Sequence, residues 1–261
     1  RSRATSRSPA DRYSRPSRRC WAALRHARLP ISGGSVFTTV ETASHKNKGI
    51  YALRFINISG GLVNTYQRGG SNTFGLDGGN VETESTDDGV IISGGQVVVN
   101  SSGAAARNYG IDSKFGTVKI SGDAVVFIRE DESGRADNFA YNKNVTTISG
   151  GNAVVFASVG GHYILREDAI LTQNATLLPG GTFEIPAGRT LGLSGEAYLA
   201  QPEGAPLLFG EGYGAFEYAG SVSGEDGMTV YAGEEPVQQA SAPVAGLLAG
   251  LGGAVLLRRK Q

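Results

Sequence analysis

The densest group of side chains able to do chemistry lies in one loop near the middle of the chain. Its four carboxylates belong to Glu130, Asp131, Glu132 and Asp137, and the cations beside them to Arg129 and Arg135. A glycoside hydrolase needs two carboxylates at a fixed separation across the bond it cleaves, and a polysaccharide lyase typically needs calcium and a strong base. The loop therefore admits either activity, or a weak calcium site on the four carboxylates, although their spacing matches no standard calcium motif. More often, such a group is only a solvated surface loop.

Aromatic side chains offer a second kind of chemistry. Four tyrosines recur in the central region and could form a platform on which sugar rings stack: Tyr51, Tyr66, Tyr109 and Tyr141. Because side chains alternate in and out along a strand, about half of them should instead fill the core. The histidines share no metal-ligand spacing and are expected in loops: His26, His45 and His162. No cofactor is expected beyond the calcium that the acidic loop could hold.

The elements that must position these side chains are set by a repeated signal. Copies of Ile-Ser-Gly-Gly, the fourth ending in Asp, begin at Ile31, Ile58, Ile92, Ile120 and Ile148. The copies start 27, 34, 28 and 28 residues apart, and a near-constant step of this size indicates a repeat architecture. Glycine suits the corners because a sharply turning backbone often adopts a positive φ.

Each copy contains the pattern of three short strands. The first strands are predicted at 36–40, 62–66, 96–100, 124–128 and 152–157. The second strands carry an apolar residue 18 or 19 places after the opening isoleucine: Ile50, Leu76, Ile111 and Phe139. Third strands, such as 117–120 and 145–148, lead into the next copy, and the longer step is absorbed by a loop at 78–88. The pattern predicts an all-β chain folded as a right-handed parallel β-helix, a solenoid of about 5–7 coils. An antiparallel sandwich is the alternative.

The two ends of the chain differ from the repeats. Residues 1–30 contain nine Arg and one acid, so they are expected to be a disordered lead, and a wrongly assigned gene start would explain their abrupt change in composition. Residues 31–261 carry 15 basic and 23 acidic side chains, a balance that argues against nucleic acid as a partner. The repeats occupy 31–157, and 158–232 should continue and cap them. There, Ile164, Ile170, Leu177 and Leu178 are expected to point inward.

The C-terminal segment has the composition of an anchor. After a polar linker at 233–243, an apolar run begins at Val244 and ends at Leu257, and a basic cluster follows at once: Arg258, Arg259 and Lys260. The run is shorter than the ~20 residues of a bilayer span. Its basic end nevertheless fits the positive-inside rule. Residues 244–261 are therefore predicted to be a helical sorting tail that contacts the membrane through 244–257.

Two stretches carry a resemblance to known proteins. The segment at 110–123 (GIDSKFGTVKISGD), together with 144–151 (NVTTISGG), resembles the repeat of adhesin-like bacterial surface proteins that contain carbohydrate-binding β-helix domains. The tail resembles the C-terminal signals recognised by sortases or exosortases, but it contains neither Leu-Pro-x-Thr-Gly nor Pro-Glu-Pro. These resemblances imply glycans or a neighbouring cell surface as partner, a sorting enzyme acting on the tail, and a location in the cell envelope.

Together these features favour a non-catalytic protein. The expected function is an exported bacterial β-helix scaffold for adhesion or glycan binding, tethered by its tail. The alternative is a β-helix polysaccharide lyase or glycoside hydrolase that uses the acidic loop.

Overall fold

The protein is mostly β-structure. The computed structural model describes residues 21–42, 46–79, 89–103, 107–130, 146–148, 152–159, 161–223 and 227–233. In those ranges the chain forms twenty β-strands and no α-helix, so the predicted β-rich class is confirmed.

The strands fall into two groups along the chain. The first ten are β1 (Trp21–Ile31), β2 (Ser35–Thr42), β3 (Lys46–Gly69), β4 (Asn72–Gly78), β5 (Gly89–Ser102), β6 (Arg107–Ser113), β7 (Thr117–Ile120), β8 (Val125–Glu130), β9 (Thr146–Ile148) and β10 (Val154–Val159). The second ten are β11 (His162–Leu165), β12 (Ala169–Leu171), β13 (Ala175–Thr176), β14 (Thr182–Glu184), β15 (Thr190–Leu193), β16 (Tyr198–Gln201), β17 (Leu207–Leu208), β18 (Ala215–Glu217), β19 (Gly220–Ser223) and β20 (Thr229–Ala232). We call 21–159 the N-terminal unit and 161–233 the C-terminal unit.

The isoleucine that opens each glycine corner pairs with its counterpart in the next copy. Ile31 pairs with Ile58, Ile58 with Ile92, Ile92 with Ile120, and Ile120 with Ile148. These pairings follow the steps of 27, 34, 28 and 28 residues in the sequence. The first four isoleucines are buried, and Ile148 packs against the same core. The repeat and its register are therefore confirmed.

Three series of parallel pairs run through the N-terminal unit. Series A joins β2, the second half of β3, the second half of β5, β8 and β10. Series B joins the first part of β1, the first part of β3, β4 and β6. Series C joins the end of β1, the middle of β3, the first part of β5, β7 and β9. Every described pairing within 21–159 is parallel, so the antiparallel sandwich is wrong.

Inward side chains of the three series form one apolar core. Series A contributes a column of five valines in register: Val36, Val63, Val97, Val126 and Val155. Series B contributes the predicted Ile50, Leu76 and Ile111, and all three are fully buried. Removing one such side chain from water stabilises the fold by about 1.5–3 kcal/mol. The valine and isoleucine columns therefore hold successive repeats together.

Glycine is required where successive corners touch. Gly61 and Gly95 adopt φ values of +84° and +78°. A Cβ on Gly95 would lie 2.5 Å from the carbonyl oxygen of Gly61, closer than real atoms approach. Both the conformation and the close approach therefore exclude a larger residue there.

The chain reverses direction between the two units. Strand β11 is antiparallel to β10, with Val159 opposite His162, and Gly161 has a φ of +97°. The Gly161 amide donates a hydrogen bond to the Oγ atom of Ser158 at 2.9 Å. The C-terminal unit then builds shorter parallel series, β11–β14–β17, β12–β15–β18 and β13–β16. Antiparallel strands β20 and β19 complete its last sheet.

The C-terminal unit packs on the outer face of series A. Phe127 and Phe156 point away from the N-terminal core and meet Phe183 edge to face, at centroid distances of 5.8 and 5.4 Å. The Nε2 atom of Gln173 donates hydrogen bonds to the carbonyl oxygens of Gly95 and Asp123 in the glycine corners. Strands β8 and β10 are therefore buried on both faces, and they belong to both cores.

Two expectations for this part of the chain are wrong. Residues 21–30 are not a disordered lead, because they form most of β1 and pair with β3. The pairing supplies backbone hydrogen bonds that composition alone does not reveal. Ile170 does not point inward: it is 46% exposed in the middle of a strand whose neighbours, Ala169 and Leu171, are buried. Residues 1–20, the 80–88 loop, Phe139, and the linker and tail from 234 onward lie outside the described residues.

Candidate binding surface

The acidic loop falls mostly outside the described part of the chain. Glu130 ends strand β8, and Asp131, Glu132 and Asp137 lie beyond it. Among the residues that the structure describes, no three His, Cys, Asp or Glu side chains are grouped closely enough to hold a metal ion. The calcium site therefore stays a prediction.

The arginine beside the acidic loop has a structural contact. Arg129 donates a side-chain hydrogen bond to the hydroxyl of Tyr163, a buried residue of the C-terminal unit. Burial raises the pKa of Tyr163 to about 12, even though the charge and hydrogen bond of Arg129 act in the opposite direction. The hydroxyl is therefore protonated at neutral pH, and it joins the two units rather than acting as a base.

The three candidate tyrosines that the structure describes do not form one platform. Tyr51 and Tyr109 belong to series B, whereas Tyr66 belongs to series A. Tyr109 is 5% exposed and stacks on Phe74 with ring centroids 5.2 Å apart, so it is not available to a ligand. Its assignment as a glycan contact is wrong, because its strand position is buried here and in the two preceding repeats, where Phe74 and Lys48 occupy it. Tyr141 lies outside the described residues.

Tyr66 lies on a surface that the sequence argument did not identify. It is opposite Thr39 on one side and Asn100 on the other, and the next outward column contains Phe37 and Asn64. Phe37 is 66% exposed and Thr39 is exposed, while the other three side chains are half-buried. We call these five residues the aromatic face.

Strand alternation explains why these five side chains share one side. On β2, Val36, Thr38 and Val40 point toward the core, so Phe37 and Thr39 must point outward. Neighbouring strands of a sheet lie roughly 5 Å apart, and alternate residues along a strand roughly 7 Å apart, so the rings of Phe37 and Tyr66 are diagonal neighbours. The spacing of Val36 and Val40 already implied an outward Phe37 in the sequence.

The aromatic face is open because the C-terminal unit covers only one end of series A. The column that begins with Phe37 and Asn64 continues as Val98, Phe127 and Phe156. The last three are buried. Along this one column of the sheet, the side chains therefore change from exposed to buried.

The aromatic face has the chemistry of a site for uncharged polar ligands. An exposed ring offers an apolar surface for the C–H face of a sugar, and Asn side chains both donate and accept hydrogen bonds. Among the described residues, Glu41 lies opposite Arg68 beside the face, with opposite signs across the strands. Arg129 follows Asn100 in the same column, and its side chain is hydrogen-bonded to Tyr163. The arrangement suits a flat glycan chain better than a charged polymer.

A second cluster combines charge with aromatic rings but is enclosed. Lys48 forms an ion pair with Asp77. Its Nζ atom lies 3.9 Å from the ring centroid of Tyr51 and 5.5 Å from that of Phe74. The cluster offers no open surface, so it is not a candidate for binding a large ligand.

The C-terminal unit contains a further aromatic group, which serves as packing. Phe209, Phe216, Tyr218 and Tyr231 meet mostly edge to face and are half-buried. The hydroxyl of Tyr231 donates a hydrogen bond to Oε1 of Gln201 at 2.8 Å, and burial raises the pKa of Tyr231. The rings occupy one another's faces, which leaves little surface for a sugar.

The expected loop positions of the histidines are wrong where the structure describes them. His162 is the first residue of β11, and its Nε2 atom lies 2.9 Å from Oε2 of Glu184 on the next strand of that series. His26 lies within β1, and His45 is outside the described residues.

No α-helix of sufficient length and apolarity to cross a bilayer occurs in the described ranges.

Comparison with protein families finds no matching family model, and comparisons with curated proteins and with solved structures find no significant match. The evidence for function therefore comes from the residues of this chain.

Proposed function

We propose that this protein is a non-catalytic, exported bacterial surface scaffold that binds glycans through its aromatic face. Its N-terminal unit is proposed to be a right-handed parallel β-helix, and its C-terminal tail an anchor to the cell envelope. The observation that carries the binding proposal is the 66% exposure of Phe37 beside Tyr66 and Asn64 on one face of a rigid sheet.

The solenoid is supported by the register of the three parallel series. Each segment pairs with the segment one repeat further along, and the inward valines and isoleucines form columns along the stack. Repeats that contact only their neighbours in this way are typical of solenoid proteins. A rigid stack also keeps an outward face flat, which a repetitive glycan requires.

A glycan array on the full chain tests the binding proposal. Replacing Phe37 or Tyr66 with Ala should each lower the affinity about two- to tenfold, because one aromatic contact is worth about 0.5–1.5 kcal/mol. Phe115→Ala is the matched control, since Phe115 is a 39% exposed ring outside the aromatic face.

The same preparations separate binding from catalysis. Equal loss of binding in the Phe115 control, or unchanged binding in both aromatic-face variants, would contradict the proposed site. Release of cleaved sugar by the wild-type chain, abolished by Asp131→Ala, would show instead that the protein is a lyase or hydrolase.

The anchoring proposal rests on the apolar run ending at Leu257 and on the basic residues after it. Expression with and without residues 243–261, followed by cell fractionation, tests it. The truncated chain should leave the envelope fraction and appear in the medium. An unchanged envelope-bound pool would refute the anchor without affecting the aromatic face.

A further inference from the structure

Strand β2 forms one edge of series A. Among the described residues it pairs with β3 alone, and its whole length, Ser35–Thr42, is in register with residues 62–69 of that strand. An edge strand presents a row of backbone N–H and C=O groups that can pair with a further strand. The outer edge of β2 is therefore a surface to which another strand can add.

The sequence of β2 lacks the features that protect an edge strand. Residues 35–42 contain no Lys, Arg, Pro or Gly, and their single charge, Glu41, lies near the end of the strand. Strand β1 of the same coil differs, because it contains the exposed residues Arg28 and Pro30. Charged side chains and proline, which has no N–H, keep other strands from pairing. Of the two strands, β2 is the one suited to a partner.

Strand β2 is self-complementary when two copies run antiparallel. Residues directly opposite each other in such a pair point to the same face, so inward residues must meet inward residues. A two-fold axis at Thr38 satisfies this condition for residues 35–41 and brings no like charges together: Val36 lies opposite Val40, Phe37 opposite Thr39, and Ser35 opposite Glu41 of the second copy. An axis at Thr39 would instead place the exposed ring of Phe37 against the carboxylate of Glu41.

From this register we infer that the protein forms a two-fold symmetric dimer in which β2 pairs antiparallel with β2 of a second copy. Such a dimer uses the same surface on both chains. Pairing over residues 35–41 supplies about six to eight backbone hydrogen bonds. The contact is smaller than a standard protein interface, so the dimer should form reversibly at about micromolar concentrations.

The pairing joins the aromatic faces of the two copies. Because Phe37 lies opposite Thr39 of the second copy, the two Phe37 residues are diagonal neighbours about 7–8 Å apart. Tyr66 lies one strand further from the axis on each side. The edge of one aromatic face therefore becomes the centre of a surface built by both chains. The dimer is inferred from β2 alone, whereas the use of the joined surface rests on the proposed glycan binding.

Sedimentation velocity of the full chain without glycan tests the dimer. With increasing concentration, the mass should rise from 27.1 kDa toward twice that value. Thr39→Lys places a cation in the middle of the interface and should raise the dissociation constant about tenfold or more. Phe115→Lys, at an exposed ring outside β2, should leave it unchanged. A chain that stays monomeric up to about 0.1 mM, or association equally strong in Thr39→Lys, would overturn the inference, and the second result would assign the contact to another segment.

Disulfide trapping tests the register. Two chains are prepared in a Cys20→Ser background, which removes the single native thiol, one carrying Ser35→Cys and the other Glu41→Cys. In a dimer of one chain of each kind the two thiols lie opposite each other, so the oxidised mixture should form a covalent dimer. In either chain alone the two thiols lie about 20 Å apart, six residues along the strand, so neither should be trapped.

Thr39→Lys added to both chains should abolish the trapping. Equal trapping in the mixture and in the separate chains, or none in the mixture, would overturn the inferred register and the dimer with it. No glycan is present in either experiment, so a failure of this inference is distinguishable from a failure of the glycan-binding proposal.

Discussion

Phe37 and Phe156 occupy equivalent outward positions in the same column of series A, four strands apart. The first is 66% exposed and the second is fully buried. Their difference comes from the C-terminal unit, which covers Phe156 and Phe127 with Phe183 but does not reach Phe37. At the scale of the residue, a ring in this column is therefore available to a ligand or part of the core according to whether the C-terminal unit covers it.

Tyr163 gives the protein a predicted sensitivity to high pH. Burial raises its folded-state pKa to about 12, against 10.0 for an ordinary, solvent-exposed tyrosine. Between these values the unfolded chain has lost this proton and the folded chain has kept it, so the free energy of unfolding should fall as pH rises from 10 to 12. The loss should be about 3 kcal/mol, since each pKa unit corresponds to about 1.4 kcal/mol.

Urea denaturation at several pH values between 9 and 12 measures this dependence. The Tyr163→Phe variant should show a smaller fall over the same range. A fall of equal size in wild type and variant would assign the effect to other groups, such as Tyr198 and Tyr231, whose pKa values burial also raises.

The positions of residues that recur in each repeat could be predicted from the sequence, whereas the orientation of a single side chain could not always be. The isoleucines at the corners could be predicted because the same residue recurs at one step and must enter the core. Tyr109 was misassigned because its ring follows Phe74 in the preceding repeat, and that pairing depends on register between strands 35 residues apart. The outward orientation of Phe37 could have been predicted, because Val36 and Val40 already define the inward side of β2.

At the scale of the element, the glycine corners separate two reasons for requiring glycine. Gly95 has a positive φ and also touches Gly61 of the preceding corner. Gly180, in a turn of the C-terminal unit, has a φ of +74° but has open space around it. Comparing Gly95 with Gly180 therefore separates the effect of close packing from the effect of backbone conformation.

Alanine at these two positions should have different costs. Gly180→Ala should lower the free energy of unfolding by about 1 kcal/mol, the cost of a side chain in the left-handed region. Gly95→Ala should lower it by about 3 kcal/mol or more, because a backbone clash is added to that cost. Urea midpoints of the two variants measure the difference. Equal midpoints would mean that the corners can move apart freely.

Strand β1 shows what composition cannot reveal about an element. The segment before Ile31 is rich in Arg and lacks an apolar period, so it favours disorder when considered alone. It nevertheless pairs with β3, from Trp21 opposite Asn47 to Ile31 opposite Ile58. The stabilising partner is about 26 residues away in sequence, and only the repeat register brings it alongside.

At the scale of the whole molecule, the two cores share the sheet formed by β8 and β10. Val126 and Val155 point into the N-terminal core, while Phe127 and Phe156 point into the C-terminal one. Loss of either core would expose one face of the same strands to water. The two units should therefore unfold together.

Hydrogen–deuterium exchange in increasing urea tests this coupling. Amides of β5 in the N-terminal unit and β15 in the C-terminal unit should lose protection at the same urea concentration. Phe156→Ala, which removes a fully buried ring at a cost of about 3–5 kcal/mol, should shift both transitions equally. A shift confined to β15 would show that the units unfold independently.

The existence of the C-terminal unit could be predicted, but its placement could not. Its strands and turns follow local signals such as Pro186-Ala187-Gly188, where the Arg189 amide donates a hydrogen bond to the carbonyl of Pro186. The Gly160-Gly161 pair before His162 is also a hairpin signal. That a hairpin would turn the unit onto the outer face of series A depends on matching aromatic residues from distant segments, and no local pattern encodes it.

The reversal of chain direction between β10 and β11 determines where further repeats can be inserted into this protein. Inserting a further 28-residue copy between Ile92 and Ile120 would preserve the direction of every strand and leave the hairpin at Gly161 unchanged. A copy inserted after Val159 would have to displace β11 from the edge of β10 before it could pair there. The N-terminal unit can therefore vary in length by duplication within the gene, and the distance between its exposed end and the C-terminal unit would increase with each added copy.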